Sequence, residues 1–284
     1  MEIAKTIADA RKFVAAARKQ GKAVGFVPTM GALHVGHISL FKAARSQTDF
    51  VAVSIFVNPT QFGPNEDFDK YPRPIEDDLR ICREQGVDLV FAPQVNEMYP
   101  TQNITWVNVE QLTDSLCGRS RPGHFRGVTT VCAKLFNIIQ PDIAFFGQKD
   151  AQQCIVIKRM VTDLNMPLKI QICDTIREDD GLAVSSRNKY LNDAERKAAL
   201  LIYKSLLQAK QLVESGIGET KKIIAEMKKT LAMSELLAPE YIEIVEPETL
   251  KPLESAKGRV FIAVAACCGS TRLIDNILVD SSGN

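Results

Sequence analysis

The stretch Ala23-Val-Gly-Phe-Val-Pro-Thr-Met-Gly-Ala-Leu-His-Val-Gly-His37, continued by Ile38, Leu40, Phe41, Ala43 and Ala44, decides the fold. Ala23 to Val27 reads as a buried strand, and the apolar positions after His37 have helical spacing. Between them, a turn with glycines at 31 and 36 ends the strand and opens the helix. Such a turn points backbone N–H groups and a positive dipole end at one spot, which suits a phosphate. His34 and His37 can donate hydrogen bonds to an oxyanion there. The competing reading is that a histidine near a helix start caps it or packs against it, and the spacing alone leaves both open. A metal site is the weaker reading. No third histidine or carboxylate lies near the pair, and no cysteine falls at zinc-like spacing.

Working outward, short apolar runs alternate with helical patterns from residue 22 to about 175. Strands are expected at 22–27, 50–57, 87–92, 143–146 and 168–173, with helices at 3–20, 37–46, 74–85, 126–140 and 149–164. Continuous Val/Ile/Phe strands separated by amphipathic helices imply a parallel sheet covered on both faces. Beyond about 176, helices at 193–214 and 219–231 precede strands at 240–245, 258–266 and 271–279. The expected architecture is therefore α/β: a Rossmann-like doubly wound parallel sheet over 1–175 and a smaller C-terminal α+β domain over 176–284. Doubly wound sheets take ligands beyond the carboxyl ends of their strands, where the polar motifs of this chain fall.

Composition sets the limits of function. The formal net charge of +1 argues against nucleic acid as a partner and gives no bulk attraction to a membrane surface. The longest apolar stretch, Val260 to Cys268, is too short to span a bilayer, and no secretory signal is evident, so a cytoplasmic location is expected. The seven cysteines (82, 117, 132, 154, 173, 267 and 268) are odd in number, scattered and free of CxxC pairs. They read as buried reduced thiols, with packing as the expected role of the vicinal pair Cys267-Cys268.

Further polar clusters follow apolar runs. In Val53-Ser-Ile-Phe-Val-Asn-Pro-Thr-Gln-Phe62, the amides of Asn58 and Gln61 suit a hydroxy acid, although Asn58-Pro59 alone reads more simply as a turn. Arg119 to Gly127 packs Arg119, Arg121, Arg126 and His124 into one loop, either an anion site or a solvated basic loop. In Phe145-Phe-Gly-Gln-Lys-Asp-Ala-Gln-Gln153, Lys149 can act as a point charge on phosphate. Asp150 can cap a helix or hold a ribose, and Gln153 lies one helical turn after Lys149. Gly181 to Asn188 offers Ser185, Ser186 and Arg187 as a triphosphate clamp or as a Ser-rich helix lead-in, with Asn192 as cap of the next helix.

Taken together, these blocks resemble the pantoate–β-alanine ligase family of the HxGH nucleotidyltransferase superfamily. The matching pieces are PTMGALHVGH (28–37), VSIFVNPTQF (53–62), YPR (71–73), SRPGHFRGV (120–128), FGQKDAQQ (146–153), SSRN (185–188) and TRLIDN (271–276). HxGH alone marks the superfamily, and the NPTQF, PGHFRG and KDAQQ blocks are specific to the ligase. The resemblance implies that ATP and (R)-pantoate form pantoyl adenylate and pyrophosphate, with Mg²⁺ carried on the phosphates. β-Alanine then attacks to give pantothenate and AMP.

Carried over by motif, the ATP site comprises Met30, Gly31, Ala32, Leu33, His34, Val35, Gly36, His37, Gly147, Gln148, Lys149, Asp150, Ile176, Val184, Ser185, Ser186 and Arg187. His37, His34 and Lys149 are the implied catalytic residues. Gln61, Gln153 and Asn58 are implied to bind pantoate, and Gln61 also β-alanine, with no metal ligand from the protein. The family is further implied to form cytoplasmic homodimers whose C-terminal domain acts as a lid. Two departures stand out: Cys117 occupies a position where an acidic residue is expected, and Val184 one where Leu or Met is usual.

Overall fold

In a computed structural model, residues 1–64 and 66–281 are described. Ser282 to Asn284, the end of the C-terminal domain as read from sequence, lie outside them. The chain divides into two compact units. The first comprises Met1–Glu110, Arg121–Gln148 and Gln152–Asp174, and the second Gln111–Ser120, Lys149–Ala151 and Thr175 onward.

The first unit is a six-stranded parallel sheet. Its strands are β1 (Glu2–Ala4), β2 (Val24–Thr29), β3 (Phe50–Ile55), β4 (Leu89–Phe91), β5 (Ile143–Gly147) and β6 (Lys169–Cys173), in spatial order β1-β4-β3-β2-β5-β6. Helices in chain order are α1 (Ile7–Lys19), α2 (Val35–Gln47), α3 (Ile75–Glu84), α4 (Val95–Met98), α5 (Cys117–Ser120, in the second unit), α6 (His124–Ile139) and α7 (Ala151–Asp163). Because β2 carries apolar side chains on both faces, helices cover both. Val24 and Phe26 join a core with Ala10, Val14, Val128, Phe136 and Ile157, while Val27 joins one with Phe41, Leu79 and Cys82. Strand order reverses between β2 and β5, so their carboxyl ends flank the topological switch point where doubly wound sheets take ligands.

The second unit has α8 (Asp193–Glu214) and α9 (Thr220–Leu231) packed on an antiparallel sheet of β7 (Leu237–Val245), β8 (Arg259–Cys268) and β9 (Thr271–Asp280). Asn192 caps α8 as expected, its Oδ1 accepting from Glu195 N at 2.9 Å while Glu195 Oε2 accepts from Asn192 N at 2.9 Å.

Three expectations are corrected. The helix expected from residue 3 begins at Ile7, because Glu2–Ala4 pair with Leu89–Phe91 as an edge strand. Segments 111–120 and 149–151 group with the second unit although they fall inside 1–175. Cys117 Sγ lies 3.1 Å from Tyr241 Oη, and the Lys149 carbonyl accepts from Asn276 Nδ2 at 2.9 Å. Finally, α7 starts at Ala151 and Lys149 sits in a 3₁₀ turn before it, so the helical spacing invoked between Lys149 and Gln153 does not hold.

Candidate functional site

The turn after β2 is wound tightly. Gly31 has φ +82° and Ala32 φ +51°, a left-handed conformation that costs a non-glycine residue about 1–3 kcal/mol. What holds it is Asp78 of α3, a carboxylate only 1% exposed. Its Oδ2 accepts from Ala32 N at 2.9 Å and its Oδ1 from Leu33 N at 2.7 Å, while Gly31 N donates to Thr29 Oγ1 at 3.1 Å. A side chain at 31 would meet Asp78 Oδ2 at 2.8 Å, so glycine is needed there for space as well as for φ. Of the backbone N–H groups expected to face a phosphate, those of Ala32 and Leu33 are taken by the protein's own carboxylate. Sequence reasoning passed over Asp78, although it shares one helical stripe with Ile75, Leu79 and Cys82 and is the acid on that stripe.

Side chains of this turn also carry polar groups. Gly36 N donates to His34 Nδ1 at 3.2 Å, and His34 N donates to His37 Nδ1 at 3.3 Å. The capping reading of the pair holds: the histidines cap α2, and the cap fixes which ring nitrogen accepts. A backbone N–H can only donate, so each Nδ1 is an acceptor and the neutral ring carries its proton on Nε2. The two rings lie 4.1 Å apart between centroids, tilted by 40° to one another. Each is thereby set as a donor of one hydrogen bond through Nε2.

Gln61 reaches this turn from the 3₁₀ segment Pro59–Gln61 beyond β3, its Nε2 donating to Met30 Sδ at 3.2 Å. Asn58, 1% exposed, donates through Nδ2 to Gln61 Oε1 at 3.1 Å and to the Gly127 carbonyl at 3.2 Å. The start of α6 packs directly on this segment, and a Cβ at 127 would overlap the carbonyl oxygen of Thr60. Gln153 lies in the first turn of α7, in the same unit.

In the basic loop Arg119 and Arg126 are exposed, whereas Arg121 is largely covered and paired. Arg121 Nε donates to Glu66 Oε1 at 2.8 Å, and its Nη1 lies 3.1 Å from His124 Nε2. His124 Nδ1 lies 2.8 Å from the Gln61 carbonyl. Arg126 stacks on Trp106 at 4.7 Å, and in the second unit Arg119 pairs with Glu243 at 2.6 Å. Burial pushes the Glu66 carboxyl up, but the Arg121 hydrogen bond and charge outweigh it and hold the group below its ordinary value. The thiols of Cys82 and Cys132 are pushed up to about 12 by burial, which keeps both protonated.

In the second unit, Lys149 lies 3.9 Å from Asp150. Ser185 Oγ accepts from Arg187 N at 3.3 Å at the start of the 3₁₀ segment Ser186–Tyr190. The loop before it is folded on itself, with Val184 N donating to the Ile176 carbonyl at 3.0 Å and Glu178 N to Leu182 O at 2.9 Å. Arg177 anchors it through a bidentate pair with Asp275 at 2.6 and 2.9 Å and stacks on Tyr203 at 3.7 Å. Asp275 and Asn276, quoted from sequence only as part of a motif, thus acquire roles: one fixes this loop and the other the backbone of Lys149. At 117, cysteine is packed against Tyr241, and Arg272 donates to its Sγ at 3.5 Å. Among the described residues no three His, Cys, Asp or Glu side chains group to hold a metal ion, and no helix is long and apolar enough to cross a membrane.

Comparison with known proteins gives one family. Residues 2–278 match the family described as pantoate-beta-alanine ligase. A pantothenate synthetase of Moorella thermoacetica is 55% identical over 280 residues, covering 99% of each chain, and one of Acetivibrio thermocellus is 51% identical. The crystal structure of pantothenate synthetase from Thermus thermophilus superposes with a TM-score of 0.93 at 45% identity, covering 98% of this chain and 99% of that one. A pantoate-beta-alanine ligase from Francisella tularensis, complexed with beta-gamma ATP and beta-alanine, superposes with a TM-score of 0.81 at 38% identity, covering 98% of this chain and 97% of that one.

Proposed function

The chain belongs to the pantoate–β-alanine ligase family, and we propose on that premise that it joins (R)-pantoate to β-alanine at the expense of ATP. The pantoate carboxylate attacks the α-phosphorus of ATP, the bond to pyrophosphate breaks, and pantoyl adenylate forms. The amine of β-alanine then attacks the acyl carbon, AMP leaves, and the amine proton is lost to solvent. Bringing a carboxylate to a phosphate joins two anions, so fixed donors must neutralise the charge that develops.

The observation that carries this reading is the paired histidine cap. Its hydrogen bonds hold Nδ1 of His34 and His37 as acceptors and leave Nε2 as the donor, with Gln61 tied to the same turn through Met30. His37 and His34 are proposed to bind the reacting phosphates. Met30 to Leu33, Val35 and Gly36 shape their surroundings. Lys149, Ser185, Ser186 and Arg187 are the proposed phosphate contacts, Asp150 the ribose contact, and Gly147, Gln148, Ile176 and Val184 the remaining nucleotide contacts. Gln61 and Gln153 hold pantoate, and Gln61 also meets β-alanine. Mg²⁺ is proposed to arrive on the ATP phosphates, where it would screen their charge. A cytoplasmic homodimer belongs to the same proposal, and sedimentation of the purified chain tests the dimer.

The direct test is exchange of labelled pyrophosphate into ATP with and without pantoate. Pantoate-dependent exchange, followed by AMP release that also requires β-alanine, is the expected result. A nucleotidylated end product would instead identify a transferase of the wider superfamily, and exchange indifferent to pantoate would sink the proposal.

A further inference from the structure

The polarity of Gln61 is set from outside its own turn. An amide side chain can present either its oxygen or its NH₂ to a ligand, and which end faces out depends on its neighbours. Asn58 makes that choice for Gln61. The Gly127 carbonyl can only accept and the Thr60 backbone N–H can only donate, so the Asn58 amide has one orientation. Its Nδ2 faces Gly127 O (3.2 Å) and Gln61 Oε1 (3.1 Å), and its Oδ1 faces Thr60 N (3.4 Å) and Thr60 Oγ1 (3.0 Å). With Oε1 occupied, Gln61 presents Nε2, whose contact is the weak acceptor Met30 Sδ. Both Asn58 protons are spent inside the protein, and its oxygen is ringed by donors.

The shortest bond to Asn58 Oδ1, and the one that comes from beyond residues 58–61, is donated by Tyr99 Oη at 2.9 Å. Tyr99 follows α4, and the part of the sequence that carries it matched none of the motifs. Its ring packs beside Phe56, and Lys134 Nζ sits 4.5 Å over its face. A cation over a phenol ring strengthens the O–H as a donor.

We propose that Tyr99 is a positioning residue: its hydrogen bond holds in place the Asn58 amide that Gly127 and Thr60 orient, and so keeps Gln61 placed as a hydrogen-bond donor to an oxygen of the acid substrate. Asn58, which the resemblance implies as a pantoate residue, acts in this proposal as a link in the relay, through its bond to Gln61. The proposal rests on the reading of Gln61 as a pantoate-binding residue.

Pyrophosphate exchange tests it, because that half-reaction omits β-alanine. In Tyr99→Phe, KM for pantoate is expected to rise about fivefold, the loss of one hydrogen bond, with KM for ATP, kcat and the melting temperature nearly unchanged. In a Gln61→Ala background the same substitution is expected to have no further effect on pantoate, because the relay then ends on nothing. Equal shifts for ATP and pantoate, additive effects in the double variant, or no shift at all would each overturn the proposal. A wild-type chain without pantoate-dependent exchange would instead overturn the functional reading, and the relay with it.

Discussion

Each unit fixes one loop that carries polar groups for the proposed nucleotide, and the two do so by opposite means. In the first, a buried carboxylate, Asp78, takes the backbone N–H groups of Ala32 and Leu33 directly. In the second, the loop bonds to itself, and a side-chain ion pair, Arg177–Asp275, pins its base. The difference decides what remains for a ligand. A turn whose amides are consumed by an anion offers its histidine side chains. In the loop closed on its own carbonyls, a side chain joins the scaffold instead, Ser185 Oγ accepting from Arg187 N at 3.3 Å.

The comparison breaks most severely at Asp275. Asp275→Ala strands Arg177, which is mostly buried and keeps the Gly181 carbonyl and the Tyr203 ring but loses its carboxylate. Removing one member of a buried pair costs about 3–5 kcal/mol, so a marked fall in the denaturation midpoint is expected. Hydrogen exchange at the Leu33 amide should stay slow in that variant. A Leu33 amide that lost protection would show that the two loops do not have separate anchors.

His37→Ala comes next, and it asks whether the first turn works through side chains. Loss of one donor to developing charge is expected to slow pantoate-dependent pyrophosphate exchange by about a hundredfold or more, with the circular dichroism spectrum retained. Near-normal exchange would return the role to the backbone.

Asp78→Asn is a gentler probe. The amide keeps one oxygen for one N–H but turns an NH₂ toward the other, leaving a buried donor unsatisfied at a cost of about 1–3 kcal/mol. Faster exchange at Ala32 or Leu33 and a lower rate of adenylation are expected together; a slower reaction with both amides still protected would separate the turn's shape from its chemistry.

The smallest effect concerns Glu66, held below its ordinary value against burial by Arg121. A depressed carboxyl adds stability above the unfolded value, ~4.3, and loses it as pH falls through the folded value. The stability gap between the wild type and Glu66→Gln should therefore be present near neutrality and close in acid. A gap that widened in acid would contradict the assignment.

Much of the fold was legible because β2, β3 and β5 are continuous apolar runs that need helices on both faces, and the helices between them carry clear stripes. β1 was not legible, since three residues are too few to show a period and only their pairing with β4 makes them a strand. The histidine pair, Gln61, Lys149 and Ser185 to Arg187 were visible as polar residues after apolar runs. Their supports were hidden for a different reason. Asp78 sits among Glu76 and Asp77 in the first turn of α3, where acids are ordinary helix-end residues. Asn276 serves Lys149 from 127 residues away, a pairing no local pattern encodes.

Asp78 also bears on when the site comes into being. The bonds that set the strained turn run 46 and 45 residues forward along the chain. A nascent chain that has completed β2 and α2 therefore holds both histidines but lacks the anchor for their turn. Only the docking of α3, a non-local event that comes with closure cost, supplies it. Competence to bind at this turn is in that sense a checkpoint on tertiary assembly: a first unit whose third helix is undocked carries the HxGH residues without the shape that makes them useful.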